Sequence, residues 1–154
     1  MPDPIEVWVS GMPAEIPPIR VPLHLEHPDR GYRDIKVTVK NGVAKIFIPE
    51  KDAEKLKKCD VIRLKNFCNI RIEEAHPMKA TYMEGKDTKV PIMQWLPEDI
   101  LGCEIIGQNM KAAGFCETAC KDLKEGDIIQ FERFGFCKVG EVDKKDLICY
   151  YTHD

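Results

Sequence analysis

No stretch of this sequence approaches the roughly 20 consecutive apolar residues that a membrane-spanning helix needs, and its start does not join a basic segment to an apolar run. The expectation is a soluble, cytoplasmic protein with no membrane partner. An excess of charge of one sign is missing too. With 23 basic against 26 acidic residues the net charge is −3, which excludes a protein that holds DNA or RNA by bulk positive potential alone, and DNA is not expected as a partner. Paired metal-binding cysteines are also lacking. The seven cysteines, Cys59, Cys68, Cys103, Cys116, Cys120, Cys137 and Cys149, are scattered and odd in number. Only Cys116 and Cys120 fall close together, without CxxC or CxxH spacing, so the thiols read as small core hydrophobes in a reducing compartment and no metal site is expected. There is no G-x-G-x-x-G or P-loop phosphate cradle, no internal repeat and no low-complexity tract.

Long helices are absent for a related reason. Eleven prolines and ten glycines punctuate the chain, and no window sustains an apolar i, i+3, i+4, i+7 pattern over three turns. What remains is β patterning. Residues 5–9 alternate as a first strand, and residues 20–25 alternate again after Pro17 and Pro18. Ile35, Val37 and Val39 form one strand face, with residues 43–48 as its hairpin partner across Asn41-Gly42, a pair that accepts the positive φ of a tight turn. Residues 50–58 are good helix formers and predict a short helix. In residues 61–72, Ile62, Leu64 and Phe67 point one way while Arg63, Lys65 and Asn66 line the other. Residues 73–89 lose apolar density and gain charge and Gly85, which predicts an exposed hairpin tip or crossover. Strands are expected again near 90–97, 104–108 and 147–151, with a helical turn at 116–123 stopped by Gly126. A chain of 154 residues suffices for one ordinary domain or two small ones, with a core that needs no staples.

Three groups of residues carry candidate chemistry. In residues 128–137, Ile129, Phe131, Phe134 and Phe136 alternate with Gln130, Glu132 and Arg133, broken once near Phe134, which predicts a half-buried strand with a bulge before Gly135. Its solvent side offers an amide, a carboxylate and a guanidinium, groups able to hydrogen-bond the edges of unpaired bases or, equally, to decorate an ordinary sheet surface. From Lys51 to Arg71 seven basic residues oppose three acidic ones, a local excess of four positive charges that is either a solvated face or a phosphate-binding patch. His24 and His27 lie in a loop with Asp29, Arg30, Tyr32 and Arg33, and no cysteine or second carboxylate pair completes a metal or general-base site there.

Residues 61–66 (Val-Ile-Arg-Leu-Lys-Asn), 92–97 (Ile-Met-Gln-Trp-Leu-Pro), 114–117 (Gly-Phe-Cys-Glu) and 126–136 (Gly-Asp-Ile-Ile-Gln-Phe-Glu-Arg-Phe-Gly-Phe) occur in one order and spacing. In these the chain resembles the C-terminal anticodon-binding region of glutamyl-tRNA synthetases of the archaeal and eukaryotic type, which is similar to that of glutaminyl-tRNA synthetases. The resemblance spans residues 1–154, and the Gln-Phe-Glu-Arg-Phe-Gly-Phe block is its most specific part. It implies an all-β fold of two adjacent small β-barrels with a few short helices, their boundary near residues 73–90. The helical domain of the bacterial enzyme is not resembled. The sequence departs from the family at His24-Leu25, where His-Pro is usual, and at Cys116-Glu117-Thr118, where Ala-Glu-Pro is common. Lys65 stands where glutaminyl-tRNA synthetases tend to carry arginine, which replaces a bidentate fork by a point charge.

The resemblance implies a parent enzyme that attaches glutamate to tRNA(Glu) using ATP and Mg, with tRNA(Gln) as a second candidate substrate. The Rossmann catalytic domain is absent from these residues, so they are expected to be part of a longer protein, to bind tRNA, to need no cofactor and to catalyse nothing. Arg63, Lys65, Gln130 and Arg133 are the implied anticodon contacts, and Lys55, Lys57 and Lys58 the weaker contacts to the RNA backbone. Phe134, Phe136 and Trp95 are candidate stacking rings but read first as core. Two other functions compete: a docking module for another synthetase or scaffold, using a sheet edge, and a small hydrolase built on His24, His27 and Asp29, which lacks an oriented nucleophile.

Overall fold

The computed structural model describes residues 1–24, 26–85, 88–143 and 145–154. Strands make up 52% of it and helix 8%, an all-β architecture of two curled, barrel-like sheets. The chain divides into two units, Pro4–Glu98 and Asp99–Asp154, the second joined by Met1–Asp3. The division thus falls at residues 98 and 99. Residues 73–90, where the sequence loses apolar density, lie inside the first unit, because Met78 and Ala80 alternate with exposed Lys79 and still supply a buried strand face. Lys86 and Asp87 of that segment lie outside the described residues, as does Leu25 at the end of the strand predicted over 20–25.

The first unit is built around β1 (Pro4–Ser10). A two-stranded ribbon follows, β2 (Ile19–Pro22) with β3 (Tyr32–Ile35). Then come β4 (Ala44–Pro49), the four-residue helix α1 (Glu50–Ala53), β5 (Val61–Leu64), β6 (Asn69–Ala75), β7 (Met78–Met83), β8 (Ile92–Met93) and β9 (Leu96–Pro97). The seven-stranded sheet runs β8-β5-β6-β7-β1-β4-β9, with β1 antiparallel to β4 and parallel to β7. Asn41 and Gly42 take φ of 53° and 73°, and Lys40 and Val43 exchange both backbone hydrogen bonds, so the predicted tight turn is present. The strand predicted before it is not: residues 36–39 keep the alternation of exposed and half-buried side chains but form no ladder, and β4 pairs with β1 and β9 instead. Val7, Val9, Ile46, Ile48, Ile62, Leu64, Ile70 and Ile72 are all buried to within 2% and form the core.

The second unit holds β10 (Ile100–Ile106), β11 (Lys111–Glu117), a 3-10 turn (Thr118–Asp122), β12 (Ile128–Phe131), β13 (Gly135–Val142) and β14 (Asp146–His153), in the order β11-β10-β14-β13-β12. Strand β14 lies in the middle of this sheet, parallel to β10 and antiparallel to β13. Strand β11 is not foreshadowed by patterning, because its small residues Ala112, Ala113 and Gly114 carry little strand signal. The core here is thiol-rich: Cys103, Cys116, Cys137 and Cys149 are buried on four neighbouring strands beside Leu101, Val139 and Leu147. The reading of cysteine as a small hydrophobe therefore holds for these four and for Cys68, while Cys59 is exposed.

Ile70 is fully buried between β5 and β7. Ile70→Ala is expected to cost about 2–5 kcal/mol, read as an earlier urea transition by fluorescence, since Trp8 and Trp95 both belong to the first unit. Burial pushes the Cys68 thiol from 9.0 up to about 12, and contact with Cys103 followed by burial raises Cys149. A group with its folded pKa above its unfolded one contributes stability that is whole below pH 9 and lost as pH climbs towards about 12. Unfolding midpoints should fall through that window, and the fall should be shallower in Cys68→Ala.

Candidate nucleic-acid interface

Arg63 is the third residue of β5, and the alternation that buries Ile62 and Leu64 leaves it half-buried on the opposite face. Its backbone is held by register with Asn69 and by an N–H bond to Pro91 O at 2.9 Å. Lys65 does not continue the strand. It opens a three-residue turn, residues 65–67, in which the Leu64 N–H donates to Cys68 O at 2.8 Å and the Phe67 N–H to Leu64 O at 2.9 Å. Asn66, the middle residue, has φ of 61°, a left-handed conformation that asparagine tolerates better than most residues. The turn is braced from beneath. Lys65 N–H bonds Met93 O at 3.0 Å, the Trp95 indole N–H donates to Lys65 O at 2.9 Å, and the Phe67 ring meets Trp95 edge-on at 5.1 Å. Trp95, only 6% exposed, is core and supports the site without facing it.

Gln130 and Arg133 sit on a second turn of the same construction. Residues 128–137 are not one bulged strand: β12 ends at Phe131, residues 132–134 turn, and Gly135 begins β13. The break in alternation near Phe134 is the sequence mark of that reversal. Phe131 faces Gly135 in register, the Phe134 N–H donates to Phe131 O at 2.9 Å, and Arg133, again the middle residue, has φ of 64°. Gly135 is required where it stands: its φ is 138°, and a Cβ would meet His153 O and the Tyr151 ring at 2.8 Å. The Phe134 ring packs edge-on against Tyr151 at 6.0 Å, and Phe136 stacks on His153 at 4.8 Å. Gln130 and Arg133 are both exposed.

Position by position, Arg63, Lys65, Asn66 and Phe67 of one unit correspond to Gln130, Glu132, Arg133 and Phe134 of the other. The sequence shows no repeat because the side chains differ while the backbone solution is shared. Of the basic residues, Lys55, Lys57 and Lys58 are all exposed on the segment leading into β5. Lys55 lies 3.9 Å from Asp52, and the segment is pinned to β6 by Cys59 N–H to Ile72 O at 2.7 Å and Ile72 N–H to Asp60 O at 2.8 Å. The predicted helix over 50–58 stops at Ala53, since residues 54–60 are drawn into this turn. Hydrogen bonds from Arg71 and Thr81 hold the Glu73 carboxyl below its usual range. The rings of His24 and His27 are 4.8 Å apart and exposed or half-exposed, with His24 Nδ1 accepting the Glu26 N–H. Among the described residues no three His, Cys, Asp or Glu side chains are set to hold a metal ion, and no helix is long and apolar enough to cross a membrane.

Amide and basic side chains on and beside tight turns of small β units, exposed at Asn66, Gln130 and Arg133 and half-buried at Arg63 and Lys65, are groups of the kind that RNA-contacting modules carry. Comparison with known proteins gives the particular family. Residues 1–88 and 92–140 match two models described as the anticodon-binding domain of class I tRNA synthetases (E and Q), and the chain belongs to this family. It is 33% identical to the glutamate–tRNA ligase of Methanosarcina acetivorans over 97% of its own length and 26% of that protein. It is 30% identical to that of Pyrococcus abyssi over 98% and 27%, and 31% identical to that of Methanopyrus kandleri over 99% and 28%. The chain thus spans about a quarter of the length of the curated relatives it matches.

Because Arg133 occupies a left-handed position, Arg133→Gly removes its side chain while leaving the turn, and should change stability by less than about 1 kcal/mol, as measured by urea unfolding. Trp95→Phe removes the indole bond to Lys65 O and should cost about 1–3 kcal/mol, the penalty of leaving a part-buried carbonyl unpaired, in the same assay.

Proposed function

We propose that the chain binds tRNA through the anticodon, as part of a longer enzyme that attaches glutamate to tRNA(Glu) with ATP and Mg, the catalytic chemistry lying outside these residues. The observation that carries this is family membership across both units, joined to the paired turns that present Arg63 and Lys65 in one unit and Gln130 and Arg133 in the other. An anticodon base offers its Watson–Crick edge only when unstacked. Gln130 both donates and accepts, so it tests such an edge; Arg63 and Arg133 fork onto a base or phosphate, and Lys65 neutralises phosphate as a point charge. Lys55, Lys57 and Lys58 add salt-dependent attraction that is blind to sequence.

The test is a titration of the chain with a tRNA(Glu) transcript and an anticodon-altered transcript at two salt concentrations. Affinity is expected to fall with salt. In the double variant Gln130→Ala with Arg133→Gly, the preference for the native anticodon is expected to shrink by roughly 1–3 kcal/mol for each base that these side chains read. Replacing Lys55, Lys57 and Lys58 by alanine should weaken both transcripts alike and flatten the salt slope by roughly 0.7–0.9 for each phosphate they neutralise. Equal binding of the two transcripts by wild-type and variant chains would mean that the turns do not read the anticodon.

A further inference from the structure

Beside the Lys65–Phe67 turn, within the first unit, lies an open cleft of about 330 Å³ whose walls include Ile16, Ile19, Phe67 and Tyr82. Its size falls at the lower end of pockets that hold small ligands, about 300–1,000 Å³. All four wall residues are only partly buried and pack against the core from its edge, so the cleft has an apolar wall that opens to solvent. Three polar side chains also line it: Asn66 from the turn, Arg20 from β2, and the exposed Glu15 on the segment before β2. Arg20 is braced: its Nε donates to Asp34 at 3.3 Å, and its guanidinium lies 5.8 Å from the centre of the Tyr32 ring, itself 54% exposed. An apolar wall with an exposed carboxamide at its edge has the chemistry of a seat for a flat heterocycle, while the carboxylates of Glu15 and Asp34 beside Arg20 disfavour a phosphate there.

A second observation points at the same residue. Asn66 holds the same place in its turn that Arg133 holds in the other, middle of three, with φ of 61° against 64°. The left-handed conformation throws the middle side chain away from both strands, while the third residue, Phe67 or Phe134, turns inward onto an aromatic partner. The middle position is exposed in both turns, and in the first unit it is filled by the side chain best suited to pairing with a base edge, a carboxamide with both donors and an acceptor.

We propose that Asn66 is a specificity-determining residue: its carboxamide reads the edge of one unstacked tRNA base seated against Phe67, Tyr82 and Ile19. This rests on the tRNA-binding function proposed above and adds a base-reading side chain to the three already named, Arg63, Gln130 and Arg133. Asn66→Gly keeps the left-handed turn and removes the amide; Asn66→Asp keeps the shape and removes the two donors.

The experiment measures binding of the wild-type chain, Asn66→Gly, Asn66→Asp and, as reference, Arg133→Gly to the tRNA(Glu) transcript and to transcripts altered singly at each anticodon-loop base. The expected result is that both Asn66 variants lose discrimination by tenfold or more at one base position and keep it at the others, and that Arg133→Gly loses it at a different position. If the Asn66 variants match wild type at every position while Arg133→Gly loses discrimination, the proposal is overturned and anticodon reading stands. A wild-type chain that binds all transcripts equally overturns both. Uniform weakening by Asn66→Gly across all transcripts would show Asn66 to be a structural or phosphate contact and would likewise end the proposal.

Discussion

In both units a three-residue hairpin turn places its middle residue at positive φ, and this shared geometry organises the candidate site in each. It directs the middle side chain to solvent, drives the third residue back onto the sheet, and fixes the last residue of the incoming strand by a backbone hydrogen bond. Phe67 and Phe134 lock the turns by packing on Trp95 and Tyr151, so outward groups are carried on a stiff mount. Rigidity matters for base recognition, because ordering a mobile hydrogen-bonding group on binding offsets part of the free energy that its bond contributes. Tolerating a non-glycine residue at φ near 60° costs of order 1–3 kcal/mol where it occurs. Both units accept that strain, at Asn66 and at Arg133, and the first unit uses asparagine, for which the strain is smallest.

The thiol-rich core of the second unit follows from a different constraint. A five-stranded sheet curled over a small interior has room for modest volumes, and cysteine supplies a compact apolar group where leucine or isoleucine would overfill. The glycines at 135 and 140 answer a different crowding, from the backbone and rings of the neighbouring strand β14. At Gly140 a Cβ would meet the Tyr150 ring at 2.4 Å, so the ring of the neighbouring strand takes the place of the missing side chain.

Much of this is legible in the sequence. Alternation marks β1, β5 and the strands on either side of the second turn, Asn41-Gly42 marks its tight turn, and the absence of helical periodicity is enough to require an all-β fold. What escapes is reversal without an asparagine–glycine signature. At residues 128–137 the apolar residues continue on both sides of the turn, so period-two patterning reads through it; the only trace is one skipped beat at Phe134. Strand β11 escapes because alanines and glycine pack well against β10 without looking like a strand, and the ladder from β4 to β1 rather than to residues 36–39 is a long-range choice that local pattern does not encode. The candidate anticodon residues come from the family block, but their shared geometry is invisible there, since Lys-Asn-Phe and Glu-Arg-Phe have only phenylalanine in common.

A net charge of −3 in a domain of this family is informative in itself. Affinity for RNA that came mainly from the summed field would be sequence-blind, and a chain with more acidic than basic residues has given most of that field up. The exposed lysines at 55, 57 and 58 supply a local remnant of it, on a segment pinned to β6 beside β5. Carboxylates elsewhere, such as Glu132 in the second turn, repel phosphate that is not held by something else. Under the proposed function the balance shifts from attraction towards selection: non-specific RNA is disfavoured, and binding depends on the few directional groups on and beside the two turns.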